Sequence, residues 1–193
     1  MVDDFDTIKK HFAKYIELTE DEEALLISFL NVKRIRKKQL IVQPEFICKY
    51  RNFIVKGAMR AYLVDDKGQT HTIAFAIEDW WISDFNSYIN QAPATLFVEA
   101  LEDTKVIQID YHSEQLLMEA IPKVERFFRI SAQQSFAFLQ KRLLSNLSKT
   151  AEERYDEFFQ KYPAIVNRVP QYTLASYLGF TTEFLSKIRS KKK

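Results

Sequence analysis

The chain has 193 residues, 47% of them apolar and 28% charged, with 28 Lys and Arg against 26 Asp and Glu for a net charge of +2. Such a composition supplies one sizeable core or two small ones. No apolar run is long enough to span a bilayer, MVDDFDTIKK has no signal-peptide pattern, and a single cysteine, Cys48, excludes an internal disulfide and any cysteine-ligated cluster within one chain.

These exclusions predict a cytoplasmic protein with no membrane partner. The three histidines, His11, His71 and His112, form neither an HxH nor an HExxH pattern, so no metal site is predicted. Cys48 reads as a small buried side chain or, alternatively, as a sensor thiol. The near-neutral total conceals an asymmetry. Residues 1–122 hold 14 basic and 20 acidic side chains, whereas residues 123–193 hold 14 and 6. A basic carboxy-terminal end is what contact with a polyanion requires.

In chain order, Phe5, Ile8, Phe12 and Tyr15 or Ile16 recur at helical spacing and predict an amphipathic helix over 3–15. Thr19 and Glu22 form a capping box that opens a second helix, with Ala24, Leu25, Ile27, Phe29 and Leu30 as its buried face. The basic run Lys33, Arg34, Arg36, Lys37 and Lys38 reads as a solvated turn between strands or, alternatively, as a nucleic-acid patch. From Gln39 to Tyr111 short β-rich runs alternate with turn residues. Strands are predicted at 40–42, 49–55, 58–64, 69–77, 96–100 and 106–109, with turns at Lys56-Gly57 and Asp65-Asp66-Lys67-Gly68. Strands this short and this spaced predict an antiparallel β-roll of the jelly-roll kind, and hence an α+β chain with flanking helices. Phe75, Trp80, Trp81, Phe85, Tyr88 and Phe97 crowd one stretch, as core filling or as the wall of an apolar effector pocket, with Glu78, Asp79 and Asp84 on its rim.

Helical period returns at Ser113. Ile121, Val124, Phe128, Ala132, Phe136, Leu139, Leu143 and Leu147 make one stripe, and Phe127, Ile130 and Phe138 make a second edge. A helix apolar on two sides packs either wholly within its subunit or also on a partner. Thr150 and Glu153 form another capping box, opening a helix with Tyr155, Phe158, Phe159 and Tyr162 inward that ends before Pro163. A loop over 164–169 then carries Arg168 toward the last pair of helices.

Leu174, Tyr177 and Leu178 on one side of Gly179, and Phe184, Leu185 and Ile188 on the other, predict two short helices meeting at a glycine turn. Gly179 can adopt a positive φ, and Thr181 can cap the second helix. Either this is a packed helical hairpin or it is a helix-turn-helix (HTH) whose second helix enters the DNA major groove. With Phe184, Leu185 and Ile188 inward, Thr182, Glu183, Ser186, Lys187 and Arg189 face outward. Thr173, Ser186, Arg189 and Lys191 to Lys193 are candidates for phosphate contacts, the tail being otherwise solvated charge.

LASYLG followed by FTTEFLSKIR resembles the DNA-binding helices of the Crp/Fnr family of bacterial transcription regulators. VKGAMRAYLVDDKGQTHTIAFAIEDWW and FVEALEDTKVIQIDYHSEQLL resemble that family's effector domain, so the likeness covers nearly the whole chain. It implies a β-roll effector-like domain over 1–118, a dimerisation helix over 119–147 carrying Val124, Phe128, Phe136, Leu139 and Leu143, and an HTH domain over 148–193. It further implies a homodimeric DNA-binding regulator that is not an enzyme. Two recognition helices about 34 Å apart would then meet successive major grooves of a two-fold operator.

Members that bind cyclic AMP clamp its phosphate with an arginine some ten residues after a Gly-Glu-Leu segment. Here Ala94 stands at that position, followed by Thr95, and no Lys or Arg occurs from Gly68 to Asp103. The resemblance therefore carries an argument against cyclic AMP, since a buried phosphate without a cation is heavily penalised. Any small-molecule effector, apolar or acidic, is left unnamed. At the positions where family members present Arg, Glu and Arg to bases, this chain has Thr182, Glu183 and Lys187, which implies a different operator. The family's β-hairpin wing does not follow Arg189, which implies weaker DNA binding or reliance on the basic tail. Two other readings are a partner-binding module with a degenerate HTH, and a cupin-like enzyme, for which His71 is the only histidine on a predicted inner strand.

Overall fold

A computed structural model describes residues 4–190. Two helices, α1 (Asp4–Ala13) and α2 (Glu20–Ser28), precede the strands β1 (Asn31–Ile35), β2 (Leu40–Val42), β3 (Tyr50–Lys56), β4 (Met59–Val64), β5 (Thr70–Ala76) and β6 (Trp81–Ile82). A short helix α3 (Phe85–Asn90) leads to β7 (Phe97–Ala100) and β8 (Thr104–Asp110). Six helices complete the chain: α4 (Tyr111–Ala120), α5 (Pro122–Ser148), α6 (Ala151–Lys161), α7 (Pro163–Arg168), α8 (Gln171–Leu178) and α9 (Thr182–Ser190).

The strands form two four-stranded antiparallel sheets, ordered β1-β8-β3-β6 and β2-β7-β4-β5, which face each other as the predicted roll. Period-two alternation sorts their side chains. Ile54 of β3 and Val106 of β8 point between the sheets, meeting Met59, Ala61, Val98 and Ala100 from the other side. Their neighbours Phe53, Ile107 and Ile109 point outward and are covered by Ile8, Phe12, Leu26, Val124 and Phe127 from the helices. Inside the roll, Gln108 Nε2 donates to Asn52 Oδ1 at 2.6 Å and Asn52 Nδ2 donates to Ile82 O at 3.1 Å, so these buried amides are satisfied.

Local chemistry is where the sequence predicts it. Both capping boxes form, Thr19 with Glu22 and Thr150 with Glu153. Asp65 closes its turn through its backbone and through Oδ1, which accepts from Lys67 N and Gln69 N at 2.9 Å each. Gly57 has φ +115°, and a Cβ there would collide with Thr104 Oγ1 and lie 2.7 Å from Thr104 Cα. Only glycine fits between β3 and β4.

Several expectations change. The basic run is not a turn: Lys33 and Arg34 lie on the edge strand β1, and only Lys37-Lys38 turns. Charged side chains on an exposed edge oppose strand-to-strand association. Strand β6 and helix α3 occupy the stretch expected to be irregular, and α7 replaces the loop predicted over 164–169. On α2 it is Leu26 that is buried while Ala24 and Leu25 face solvent. Phe159 and Phe184 are exposed, because each sits beyond the inward arc that its neighbours Phe158 and Leu185 already fill. The helical stretch expected from Ser113 is two helices, α4 and the long α5, since Pro122 restarts the path at Ile121 (φ −129°).

Candidate nucleic-acid interface

Helix α8 ends at Gly179, whose φ of 77° is left-handed, and Phe180 N returns a hydrogen bond to Ala175 O at 2.9 Å. Helix α9 is preceded by Thr181, whose Oγ1 accepts from Phe184 N at 3.2 Å. Leu185 and Ile188 hold α9 on Leu174, Ala175 and Leu178 of α8 and on Tyr155, Phe158 and Ile165 of α6 and α7. The two helices are thus the bihelical unit expected, with α9 presenting its other face to solvent.

On that face, Gln171, Thr182, Glu183, Ser186, Lys187 and Ser190 line one shallow groove. Arg189 is half-buried beside it. The Glu183 carboxyl is held below the usual carboxylate range by its own backbone N–H and the Thr181 hydroxyl, so it is an acceptor at neutral pH. Gln171, one turn away in space, escapes sequence reasoning because it precedes the predicted motif. Thr181 spends its hydroxyl on the cap. Thr173, expected at a phosphate, is fully buried and its hydroxyl donates to Pro170 O at 2.6 Å, so it cannot reach one. The Lys191 to Lys193 tail lies outside the described residues.

The bihelical unit is fastened to the β-roll by contacts absent from any local pattern. Ser176 of α8 donates to Thr70 O and accepts from Thr72 N, both at 2.8 Å, and so satisfies the free edge of β5. Arg142 of α5 donates to Ile73 O and, at 3.1 Å, to Tyr177 O. Arg168, expected to lead toward α8, turns back instead: its guanidinium donates to both oxygens of Glu78, at 2.7 and 3.0 Å, and to Glu102. Burial would raise Glu78, but the Arg168 bonds and the Gly57 N–H outweigh it and hold the carboxyl at about 2.

The proposed effector residues do not converge. Phe75 faces the carboxy-terminal helices, 5.1 Å from the Tyr177 ring, and Trp80 meets Tyr162 edge-on at 5.5 Å. Trp81 turns the other way and donates Nε1 to His11 Nε2 at 3.3 Å. Phe85 is exposed under Arg51, and Phe97 stacks on Tyr62 at 5.1 Å. Alternation along the strands sends sequence neighbours to opposite faces, so a cluster in sequence becomes three separate packings. Ala94 is buried in the roll with Tyr88 and Cys48. Asp84 is no rim carboxylate. It is buried, caps α3 through Ser87 N, and its Oδ2 accepts from Thr95 N at 2.8 Å and Leu96 N at 3.0 Å. Glu78 is likewise committed, to Arg168.

Of the expected dimer-helix residues, Val124 and Phe128 are buried within the subunit against α1 and α2. Phe136, Leu139 and Leu143 are 70%, 54% and 59% exposed, and Leu147 is 77% exposed. The helix therefore changes function along its length: its first half completes the core, its second half leaves an apolar stripe in solvent. No helix among the described residues is long and apolar enough to cross a membrane, and none of their His, Cys, Asp and Glu side chains group to hold a metal ion.

No protein-family model matches this chain, and no curated protein sequence matches it. Solved structures do. FixK2 from Bradyrhizobium japonicum superposes with a TM-score of 0.73 at 20% identity, over 84% of this chain and 83% of that one. A Eubacterium rectale protein assigned to the crp/fnr family of transcriptional regulators gives 0.70 at 17%, over 90% and 83%. A cyclic nucleotide-binding domain from Methylobacillus flagellatus gives 0.63 at 16%, over 72% of this chain and 82% of that one. The fold is that of a cyclic-nucleotide-binding-type β-roll followed by a long helix and an HTH. It is the fold of the Crp/Fnr regulators, matched over most of the chain.

Proposed function

We propose that this chain is a DNA-binding transcription regulator of the Crp/Fnr type that acts as a homodimer and does not use cyclic AMP. The observation that carries the reading is the outer face of α9, where Thr182, Glu183, Ser186 and Lys187 line a single groove on a capped, well-anchored helix. In a major groove Glu183 suits the amino group of cytosine, and Ser186 suits either kind of edge. Lys187 supplies a point charge for guanine or phosphate, and Arg189 a fork for phosphate. The exposed stripe Phe136, Leu139, Leu143 and Leu147 supports pairing of two subunits along α5. Against cyclic AMP stands Asp84, whose carboxylate occupies the Thr95 and Leu96 backbone donors beside Ala94. A second anion there would meet like charge, and residues 68–103 supply no Lys or Arg to offset it.

Fluorescence anisotropy with promoter fragments at about 50 and 200 mM salt tests this reading. Binding should weaken steeply with salt, and Lys187→Ala should flatten the log–log slope by roughly 0.9 for each phosphate that the side chain no longer neutralises in each subunit. An absence of binding at the lower salt, or binding indifferent to salt, rejects it.

A further inference from the structure

The second half of α5, helix α6 and the end of α8 enclose a cleft of ≈ 70 Å³. One ordered water needs only ~10–15 Å³ on the same measure, so the space suits a small organic molecule. Its walls are aromatic: Phe138 from α5, Phe158 from α6, Tyr162 at the end of α6 and Tyr177 from α8. A smaller recess of ≈ 30 Å³ shares these four rings and reaches Trp80.

The charged groups at the cleft are unbalanced. Lys141, Arg142, Arg154 and Lys161 face a single carboxylate, Glu157. That carboxylate is already taken, by Lys149 at 2.8 Å and Lys141 at 3.7 Å. Arg142 is committed to the Ile73 and Tyr177 carbonyls, and Arg154 Nη1 to the Asn146 and Lys149 carbonyls. Two donors are left over. Arg154 Nε is buried without a hydrogen-bond partner. Lys161 has no carboxylate within ion-pair distance among the described residues, and its ammonium stands 5.8 Å from the Phe138 ring centre and 5.2 Å from that of Tyr162.

A ring-walled cleft with an unpaired ammonium over its rings matches a flat apolar ligand that ends in an anion. We propose that this cleft binds a small aromatic carboxylate, its ring lodged against Phe138, Phe158 and Tyr177 and its carboxylate paired with Lys161. Ring-to-ring packing gives the shape selection, and the charge-assisted contact gives the preference for an acid over its amide. Because Tyr177 and Leu178 lead directly into Gly179 and α9, an occupied cleft also fixes α8 against α5. That consequence for DNA rests on the regulator reading, whereas the site itself does not.

Isothermal titration of the full chain with benzoate, phenylacetate and salicylate, and with benzamide as the uncharged counterpart, tests the site without DNA. Saturable binding of at least one acid is expected, one molecule per chain, with benzamide at least about tenfold weaker. Lys161→Gln should weaken the acid about tenfold and leave benzamide unchanged, and Phe138→Ala should weaken both. No saturable binding of any acid up to about 10 mM overturns the proposal, as does equal binding of acid and amide or an indifferent Lys161→Gln. Both substituted side chains are at least partly exposed, so circular dichroism of the variants should match the parent. Failure of this titration leaves the DNA-binding reading intact, and failure to bind DNA leaves the cleft intact.

Discussion

Replacing Arg168 with Ala removes a guanidinium that ties α7 to the β-roll. Its two hydrogen bonds to Glu78 are parallel, at 2.7 and 3.0 Å, and a third reaches Glu102. The side chains remain 28%, 39% and 38% exposed, so solvent screens each pair and holds it to the range of ~0.2–1 kcal/mol. One forked pair with Glu78 and one single-bonded pair with Glu102, together with the two carboxylates left facing each other, give a loss of about 1–2 kcal/mol for Arg168→Ala at neutral pH. The pH profile is the sharper signature. Glu78 is depressed from an ordinary 4.5 to about 2, so its contribution is complete above pH 4.5 and disappears as pH falls toward 2. In Arg168→Ala only the Gly57 N–H of its neighbours remains as a charge-stabilising donor at Glu78, and its carboxyl moves back up. Urea unfolding followed by tryptophan fluorescence should therefore show a stability gap at pH 7 that narrows by about pH 2.5. Arg168→Lys, which keeps the charge and loses the fork, should fall between. A gap below about 0.3 kcal/mol at pH 7, or one of equal size at both pH values, refutes the reasoning.

Gly57→Ala should cost about 3–5 kcal/mol, since φ +115° is strained for alanine and the new methyl meets Thr104 Cα at 2.7 Å. Thr104→Ala added to it should rescue little, because the closest fixed contact is backbone, and chemical denaturation of the single and double variants decides this. Burial, and then Lys14, hold the His11 imidazole down at about 4 against the partial offset of Asp79, so it stays neutral in the fold. Its contribution is complete above pH 6.5 and lost as pH falls toward 4, a sensitivity of about 1–2 kcal/mol once solvent screening is discounted, which His11→Phe should flatten in thermal melts. Leu139→Glu with Leu143→Glu should leave the subunit folded and shift analytical ultracentrifugation to a single-chain species, because both side chains stand in solvent within one chain. A monomeric parent protein would refute the dimer.

Thr19 with Glu22, Thr150 with Glu153, the Asp65 turn and the Gly179 end of α8 were legible in the residues alone. Each is closed by hydrogen bonds reaching two to five positions along the chain. Alternation and helical period likewise mark the roll and the long helix, since burial on one face imposes its period on the residues. The missed elements are short. Strand β6 has two residues and α3 and α7 have six each, too few for any period to show, and β1 has five of which only Ile35 is buried, so it shows no alternation.

What the sequence by itself determined is the order of elements and the capped pair of helices at the end, because both are written in contacts between near neighbours. Tertiary structure decided the partners of Arg168, 66 and 90 positions away, and those of Ser176, 104 and 106 positions away. It also decided that Asp84 would occupy the Thr95 and Leu96 donors, that the tryptophans would part to opposite faces, and that α5 would be buried first and bare later. Each outcome depends on which surface two sheets and nine helices among the described residues bring opposite a side chain. No spacing along the chain encodes that.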